Sequence, residues 1–371
     1  MAKVILGDVV DHIKDKVDKD TTDLEFYVGG EHIDGDEIMI RRKGLIQGST
    51  IGPAFHMRFR QGDVLLMSRN PHLRKASMVD FDGICSDVSY VCRTKDNDVL
   101  LQSLLPFILQ TSEFWQFAEE NKKGGLPFFL NWKDFARFEF ELPSLERQKQ
   151  IADLLWAMER VKNAYRELIA RTDDLVKSQF IEMFGLPDEN VHDYEVGTIG
   201  NVVCDVHYGT SKKASEEGDY TYLRMNNITY GGELDLTDTK RISVPEKELA
   251  GCLVRKGDVL FNRTNSRDLV GKTCAFTLNE PMIIAGYIIR LRINGRVLPE
   301  YLATFLNLES SKRMLYAMAK GAVGQANINA QEVQAIKLVI PPMEVQLPFQ
   351  RVIEQSDKSK YLLQHELKNL R

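Results

Sequence analysis

Apolar residues recur at alternating steps of three and four between residues 144 and 184, and no Gly or Pro interrupts that stretch. This spacing is typical of a long helix with a heptad seam, and Gly185 supplies a stop signal. A shorter and more polar pattern follows Pro341, where Pro348 suits only the first helical turn. The predicted seam residues are Ile151, Leu154, Met158, Val161, Tyr165, Leu168 and Leu175 in the first helix, and Phe349, Ile353, Leu363 and Leu367 in the second.

These patterns predict two long helices, over residues 143–185 and 341–371. A helix of about 40 residues is about 60 Å long, far longer than the average helix of a globular protein. One interpretation is that each helix packs along its own domain. Pairing of the two seams with each other is more economical, so we predict an antiparallel coiled coil within the chain that acts as a spacer.

The remaining sequence is built twice from one module. Residues 59–66 (FRQGDVLL) match residues 254–261 (VRKGDVLF) at an offset of 195, and Leu142-Pro143 matches Ile340-Pro341 at an offset of 198. Six such pairs occur in the same order, while the offset moves only from 193 to 198. Chance does not easily explain six ordered pairs, so we infer an internal repeat. The predicted domains are residues 1–142 and 186–340.

Each module mixes strands and helices. Short β-branched or aromatic segments bounded by Gly and Asp predict strands, and apolar residues at three- and four-residue steps predict helices over 99–120 and 299–319. The predicted strands lie around Tyr27, residues 62–65 and 88–91, and around residues 222–223, 259–261 and 287–291. We therefore predict an α+β fold of two similar strand-rich domains, separated by the two long helices, with pseudo-twofold symmetry.

Composition narrows the class of protein. The 371 residues are 43% hydrophobic and 27% charged, which is typical of globular domains. Without an apolar run long enough for a membrane span or a signal peptide, a soluble cytoplasmic protein is expected. The five cysteines form no Cys-x-x-Cys pair, so free thiols are expected. The net charge of −5 argues mildly against nucleic acid, although basic clusters can lie on an acidic body.

The sequence lacks the familiar catalytic signatures. It contains no G-x-x-x-x-G-K-[ST] phosphate loop, no H-E-x-x-H and no G-x-S-x-G. The Asp/Asn-Pro-Pro-aromatic tetrad of adenine methyltransferases is also missing. We therefore expect a chain that is not an enzyme by itself and that holds no cofactor or metal of its own.

A polar and basic loop follows the Gly-Asp-Val-Leu strand in both modules. Arg can donate two hydrogen bonds to guanine, Asn can pair with adenine, and Ser and Thr reach bases or phosphates. The alternative is an ordinary hydrophilic loop, but recurrence at equivalent positions favours contact with DNA. The candidates are Ser68, Arg69, Asn70, His72, Arg74 and Lys75 in the first module, and Arg263, Thr264, Asn265, Ser266 and Arg267 in the second.

Three other segments of the second module are weaker candidates. The first combines an aromatic ring, hydroxyls and two cations, in Tyr208, Gly209, Thr210, Ser211, Lys212 and Lys213. The second follows a predicted strand and contains Arg224, Asn226 and Asn227. The third holds the amides of Gln325 and Asn327 in a turn-like stretch. The first module differs at the matching positions, so two different half-sites are predicted if both modules read DNA.

The junction Leu/Ile-Pro-x-x-Glu-x-Gln, at 142–148 and 340–346, leads into each long helix. With the Gly-Asp-Val-Leu strand and the duplication, it resembles the specificity subunits of Type I restriction-modification systems. The resemblance implies two target-recognition domains that read a bipartite double-stranded DNA sequence, with the helices setting the spacer. It also implies docking of two adenine-methyltransferase subunits and of restriction (motor/endonuclease) subunits. S-adenosylmethionine and ATP with Mg²⁺ would belong to those partners. The short second helix departs from this pattern.

Two other classes of function remain open. The duplicated domains could form a protein-interaction scaffold that does not read DNA, or the chain could be a modification enzyme with an unrecognised active site. Duplex binding that weakens steeply with salt would separate the first of these from a DNA-recognition subunit. Failure to bind S-adenosylmethionine would exclude the second.

Overall fold

A computed structural model describes residues 2–319 and 326–370. The chain divides into two compact units, Met1–Asn163 and Ala164–Arg371. This division falls within the first long helix, which belongs in part to each unit. The domain boundaries predicted above, at residues 142, 185 and 340, stay predictions.

The first unit contains two four-stranded sheets, in the orders β2-β9-β6-β7 and β4-β3-β8-β5, and the two-stranded sheet β1-β10. Its strands are β1 Ala2–Ile5, β2 Val10–Ile13, β3 Phe26–Val28, β4 Gly44–Leu45, β5 Phe55–Phe59, β6 Val64–Met67, β7 Ala76–Met78, β8 Gly83–Ser86, β9 Ser89–Thr94 and β10 Glu139–Leu142. Its helices are α1 Leu6–Val9, α2 Leu105–Ile108, α3 Ser112–Asn121, α4 Trp132–Phe135 and the beginning of α5 Leu145–Phe184.

The second unit contains the sheets β12-β20-β16-β18, β14-β13-β19-β15, β11-β22 and β17-β21. Its strands are β11 Glu195–Thr198, β12 Val203–Tyr208, β13 Tyr220–Leu223, β14 Lys240–Ile242, β15 Leu253–Val254, β16 Asp258–Asn262, β17 Thr264–Asn265, β18 Thr273–Ala275, β19 Met282–Ile284, β20 Ile288–Ile293, β21 Ala326–Asn327 and β22 Lys337–Ile340. Its helices, besides the end of α5, are α6 Glu246–Cys252, α7 Pro299–Asn307, α8 Glu309–Met318, α9 Ala330–Gln334 and α10 Met343–Asn369.

The strand order is the same in the two units, sheet by sheet. Even the parallel pair recurs: β3 pairs with β8 in the first unit and β13 with β19 in the second. All six predicted strand segments coincide with strands of the structure. The α+β fold class is confirmed, and the shared topology supports the interpretation of the chain as a repeat.

The two predicted shorter helices are each broken. Residues 99–120 form α2 and α3, and residues 299–319 form α7 and α8. Thr111 caps α3 by accepting a hydrogen bond from the backbone N–H of Phe114, and Leu308 adopts an extended conformation between α7 and α8. Apolar periodicity continues through both breaks because the two halves of each pair pack on the same core.

The repeated Gly-Asp motif builds a turn and buries a carboxylate. Gly62 and Gly257 have positive φ angles of 88° and 94°, which an L side chain rarely adopts. Asp63 accepts two hydrogen bonds from the guanidinium of Arg93, at 2.7 and 2.9 Å. Asp258 accepts two from Arg292, at 2.8 and 2.9 Å. The motif therefore recurs because the buried Asp joins two adjacent strands of the central sheet.

The Gln of each junction motif has an equally specific role. Gln148 is 1% exposed; its side chain accepts from the Leu101 N–H at 3.0 Å and donates to the carbonyl oxygens of Val99 and Pro143 at 2.8 and 3.0 Å.

Gln346 repeats the arrangement in the second unit. It is fully buried, accepts from the Leu298 N–H at 2.8 Å, and donates to the carbonyl oxygens of Arg296 and Pro341 at 3.1 and 2.7 Å. In each unit one side chain thus fixes the first turn of a long helix to the loop that precedes another helix.

The bounds of α5 agree with the prediction, and those of α10 do not fully agree. The stop at Gly185 is confirmed: its φ is 68°, and its N–H donates to the Ile181 carbonyl at 2.9 Å. Pro348, however, lies inside α10, at the sixth residue of that helix. The first-turn placement is wrong because Pro342 and the buried Gln346 start the helix earlier.

Within the second unit, α5 and α10 pack against each other through aromatic rings. Phe349 of α10 lies 5.5 Å from Phe180 and 5.2 Å from Phe184 of α5, between ring centroids. Farther along α10, the Lys360 Nζ donates to Asp173 of α5 at 2.8 Å. Residue numbers rise on one helix as they fall on the other, so the pair is antiparallel, as the coiled-coil prediction requires.

The predicted seam is only partly right. Phe349 is buried, and Ile353 packs on the same core. Ile151 packs on the core of the first unit, while Met158, Tyr165, Leu363 and Leu367 are half-buried.

Four predicted seam members instead point to solvent. Leu154, Val161, Leu168 and Leu175 are 43 to 62% exposed. The prediction is wrong for these four because α5 carries two apolar stripes, and the larger side chains Phe180 and Phe184 occupy the inner one.

The junction glutamines generate a prediction on stability. Replacing Gln148 with Ala leaves the Leu101 N–H and two carbonyl oxygens without a partner, so we expect the first unit to lose about 2–4 kcal/mol. Urea unfolding followed by tryptophan fluorescence measures this, because Trp115, Trp132 and Trp156 all belong to that unit.

Gln150→Ala is the matched control, since Gln150 is exposed on the same helix and its loss should change stability by less than about 0.5 kcal/mol. Equal effects of the two substitutions would contradict the assigned role.

Candidate nucleic-acid interface

Three segments that the sequence analysis singled out separately meet at one edge of the second unit. Thr264 pairs with Asn327 across the β17–β21 ladder, and the Thr264 hydroxyl donates to the Asn327 side-chain oxygen. The Arg263 guanidinium lies over the Tyr208 ring, 4.8 Å from its centroid. The Tyr208 hydroxyl in turn accepts from the Ala330 N–H at 2.9 Å. We call this set of four side chains, Tyr208, Arg263, Thr264 and Asn327, the recognition edge.

Gly209 lets the backbone after Tyr208 approach the rest of the unit. A Cβ at this position would lie 2.1 Å from the Ile284 carbonyl oxygen, so a side chain there would clash. The next residue, Thr210, donates its N–H to Ile284 at 2.9 Å and accepts from Gly286 at 2.8 Å. This approach holds the 208–213 segment beside Tyr287, an aromatic residue that is 50% exposed.

Several cations and aromatic rings flank the recognition edge. Arg267 stacks on the ring of Tyr316 at 4.4 Å and donates to the Tyr316 carbonyl at 3.2 Å. Ser211 and Lys213 are exposed, whereas Lys212 forms an ion pair with Glu248 at 3.1 Å. Asn265 and Ser266 are half-buried, and the Asn265 side chain accepts from the Ser266 N–H at 2.9 Å.

Tyr287 and Tyr316 were missed by sequence reasoning. Each is a single exposed aromatic next to or within a regular element, and nothing in its local sequence distinguishes it from a core residue. Exposed aromatic rings flanked by cations are a common means of stacking on nucleic-acid bases.

The segment after β13 has a structural role instead. Asn227 is buried, and its side-chain amide donates hydrogen bonds to the carbonyl oxygens of Asp235 and Asp238, at 2.8 and 2.9 Å. Arg224 forms an ion pair with Asp238 at 2.8 Å, and Asn226 donates to the same carboxylate at 3.4 Å. These three candidates thus hold the following loop, at Asp235 and Asp238, against the end of β13. Gln325 lies outside the described residues.

In the first unit, the candidate loop is largely occupied with its own contacts. Ser68 is buried and donates to the Val88 carbonyl at 2.8 Å. Arg74 pairs with Asp36 at 3.0 Å, and Lys75 donates to the Gly30 carbonyl. Asn70 has a positive φ of 52° and starts the tight turn. His72, within that turn, is exposed.

Arg69 is the other exposed candidate of this loop. Its backbone forms an isolated antiparallel β-bridge with the backbone of Phe129. By sequence offset, Arg69 corresponds to Thr264 and Phe129 to Asn327. The same pairing therefore carries an Arg and a Phe in the first unit and a Thr and an Asn in the second. The scaffold is shared, whereas the chemistry at its edge differs.

The described residues show no sign of metal-binding or thiol chemistry. Over 2–319 and 326–370, no group of three or more His, Cys, Asp or Glu side chains is arranged to hold a metal ion. Cys85, Cys92, Cys252 and Cys274 are buried free thiols, and burial raises the pKa of Cys274 to about 12. None of the helices in that part of the chain is long and apolar enough to cross a membrane.

Comparison with known proteins shows which family the second unit of this chain resembles. Residues 191–370 match the family model described as the Type I restriction modification DNA specificity domain. The match covers 180 of the 371 residues, just under half of the chain, and lies within the second unit.

A curated member of this family, the Type I restriction enzyme EcoKI specificity subunit of Escherichia coli strain K12, is 26% identical over 160 residues. That match covers 42% of this chain and 34% of the relative, so it spans about a third of the relative's length.

Two solved structures share the fold of this chain. One comes from a study of complex assembly and conformational transition of the type I R-M system: it is 22% identical, with a TM-score of 0.52, and the match covers 100% of this chain and 94% of that one. The other is the Type-I restriction-modification system S subunit from M. genitalium: it is 13% identical, with a TM-score of 0.50, and the match covers 100% and 92%.

The flanking cations of the recognition edge generate a prediction. If Lys213 and Arg267 contact phosphates, each of Lys213→Gln and Arg267→Gln should weaken duplex binding on all sequences and reduce the slope of log K against log salt by about one. Fluorescence anisotropy of the chain on labelled duplexes over a salt series measures both quantities.

Lys247→Gln is the control, because Lys247 is an exposed cation of the same unit, on α6. A slope that Lys247→Gln lowers as much as the other two would exclude a localised phosphate contact.

Proposed function

We propose that this protein is the DNA-recognition subunit of a Type I restriction-modification complex, and that each unit reads one half of a bipartite target. The observation that carries the proposal is the pair of equivalent pairings at one edge: one topology pairs Arg69 with Phe129 in the first unit and the buried Thr264 with Asn327 in the second. A repeated scaffold with divergent side chains suits two half-sites of different sequence, because side chains at base edges decide which bases are read.

In this proposal the chain does no chemistry itself. It directs adenine-N6 methylation by two methyltransferase subunits and cleavage by restriction subunits, in the cytoplasm. S-adenosylmethionine, ATP and Mg²⁺ belong to those partners. The recognition domains are residues 1–142 and 186–340.

The helices over 143–185 and 341–371 act as a ruler between the half-sites. Antiparallel packing of α5 on α10, through Phe180, Phe184 and Phe349, supports a stiff spacer. One heptad of helix is about 10 Å long, which corresponds to about three base pairs of duplex DNA. Changing the length of α5 should therefore change the unread spacer of the target without changing the half-sites.

Insertion of one heptad after Glu167 tests the ruler. This position leaves the packing around Phe180 intact, so we expect the spacer of the methylated motif to change by about three base pairs. Mapping of genomic N6-methyladenine after coexpression with the methyltransferase gives the motif directly.

The control keeps the length of α5 and exchanges residues 161–167 for an unrelated heptad with the same apolar positions. An unchanged spacer in the insertion variant would exclude the ruler, and a single continuous motif in the wild type would exclude bipartite reading. The absence of salt-dependent duplex binding would favour the protein-interaction scaffold.

The exposed stripe of α5 (Leu154, Val161, Leu168 and Leu175) supports partner docking. Its members repeat every seven residues and stay exposed in the isolated chain, and such a stripe is the kind of surface that a partner helix covers.

Leu168→Asp tests this docking surface, because it places a charge in the middle of the stripe. We expect its affinity for the methyltransferase subunit to fall about ten-fold or more, measured by isothermal titration calorimetry. Glu167→Asp is the control, since Glu167 is exposed beside the stripe. Undiminished affinity of Leu168→Asp would place the partner elsewhere.

A further inference from the structure

The second unit contains a cavity of about 500 Å³ that the recognition edge does not use. Its walls come from α5, α7 and α10, and from the segments 231–236 and 275–278. All of these belong to one compact unit.

Charge in this cavity is unbalanced. Four carboxylates line it, from Asp173, Glu233, Glu300 and Asp357, against only two ammonium groups, from Lys177 and Lys360. Lys360 is buried and donates to Asp173 at 2.8 Å and to Glu233 at 2.6 Å. The lining therefore keeps an excess of two negative charges after both lysines are counted.

Three polar atoms on the cavity wall are buried without a hydrogen-bond partner among the residues that the structure describes. They are the Ser356 Oγ, the Glu300 Oε2 and the Asn307 Oδ1. Ser356 is only 8% exposed. The Asn307 amide nitrogen donates to the carbonyl oxygens of Thr273 and Ala303 at 2.7 and 3.0 Å, which leaves its oxygen free to accept. Buried atoms of this kind favour a partner that donates hydrogen bonds.

Apolar side chains separate these polar groups. Val176, Leu236, Leu278 and Ile353 also line the cavity. A metal ion is a poor match, because no cluster of three or more His, Cys, Asp or Glu in the described residues is placed to ligate one. The cavity is also many times larger than the volume of about 30 Å³ that one water occupies in the liquid.

We propose that this cavity binds a linear organic dication of the diamine or polyamine class. Two ammonium groups balance the excess of two negative charges and donate hydrogen bonds to Ser356, Glu300 and Asn307. The methylene chain between them covers the apolar side chains. The site is separate from the proposed reading of DNA, and binding there strengthens the packing of α10 on α5 and α7.

Titration of Asp357 agrees with this assignment. Burial raises the pKa of its carboxyl group, and the neighbouring Glu233 and Asp173 add to the increase, while Lys360 opposes it. A bound cation would relieve this like-charge repulsion.

Calorimetric titration of the full chain with putrescine, at constant ionic strength, tests the proposal. We expect saturable binding of one putrescine, and Glu300→Gln should weaken it about ten-fold or more, because a hydrogen-bonded charge is lost. Glu246→Gln is the matched control: Glu246 and Glu300 both lie in the first turn of a helix, but only Glu300 lines the cavity. Glu246→Gln should bind as the wild type does.

Hydrogen exchange of the wild type gives a second measurement that does not depend on a variant that folds. Putrescine should slow exchange over 353–364 and 231–236 and leave α6 unchanged. Absence of saturable binding, equal weakening by both variants, or displacement by MgCl₂ at the same ionic strength would overturn the proposal, as would protection spread evenly over the chain.

Discussion

The geometry of this protein depends on how a long helix is attached to a small sheet domain, and in each unit a buried glutamine makes that attachment. Gln148 and Gln346 each bind one backbone N–H and two backbone carbonyls. A single hydrogen bond contributes about 1 kcal/mol, but leaving such groups buried and unpaired costs more. The direction of the helix is thereby fixed at its first turn. In the proposed ruler, a helix held in this way gives one distance, whereas a hinged one would average over many lengths.

The sheets, like the helix attachments, are held by contacts that recur in both units. Asp63 with Arg93, and Asp258 with Arg292, make the same pair of hydrogen bonds in the two units, and the strand orders agree. These contacts determine the scaffold and do not depend on what it binds. At the edge beyond them, the backbone ladder holds the paired positions in place, and the side chains at those positions differ between the units.

The sequence predicts much of this scaffold, because its signals are local. The strand that follows Gly62, the limits of α5, and the stop at Gly185 follow from turn residues and periodicity over a few positions. The inner face of α5 could not be predicted in the same way. Periodicity identifies apolar stripes but does not rank them, and the ranking is decided by how Phe180 and Phe349 fill the space between helices in three dimensions. Loop residues such as Asn227 are equally ambiguous, since an amide that closes a turn and one that reads a base look alike in sequence.

An acidic chain can bind a polyanion where cations cluster locally, and the second unit contains two further lysines near Arg267. Carboxylates collect along the cavity at α10, whereas Lys272 and Lys312 lie beneath the loop that carries Arg267. Their ammonium groups donate to the carbonyl oxygens of Met225 and Gly271, at 2.7 and 2.9 Å. Burial, with repulsion from Lys177 and Lys272, lowers the pKa of Lys312 to about 8. The net charge of −5 therefore describes the average of the chain and does not exclude a local cluster of cations on its surface.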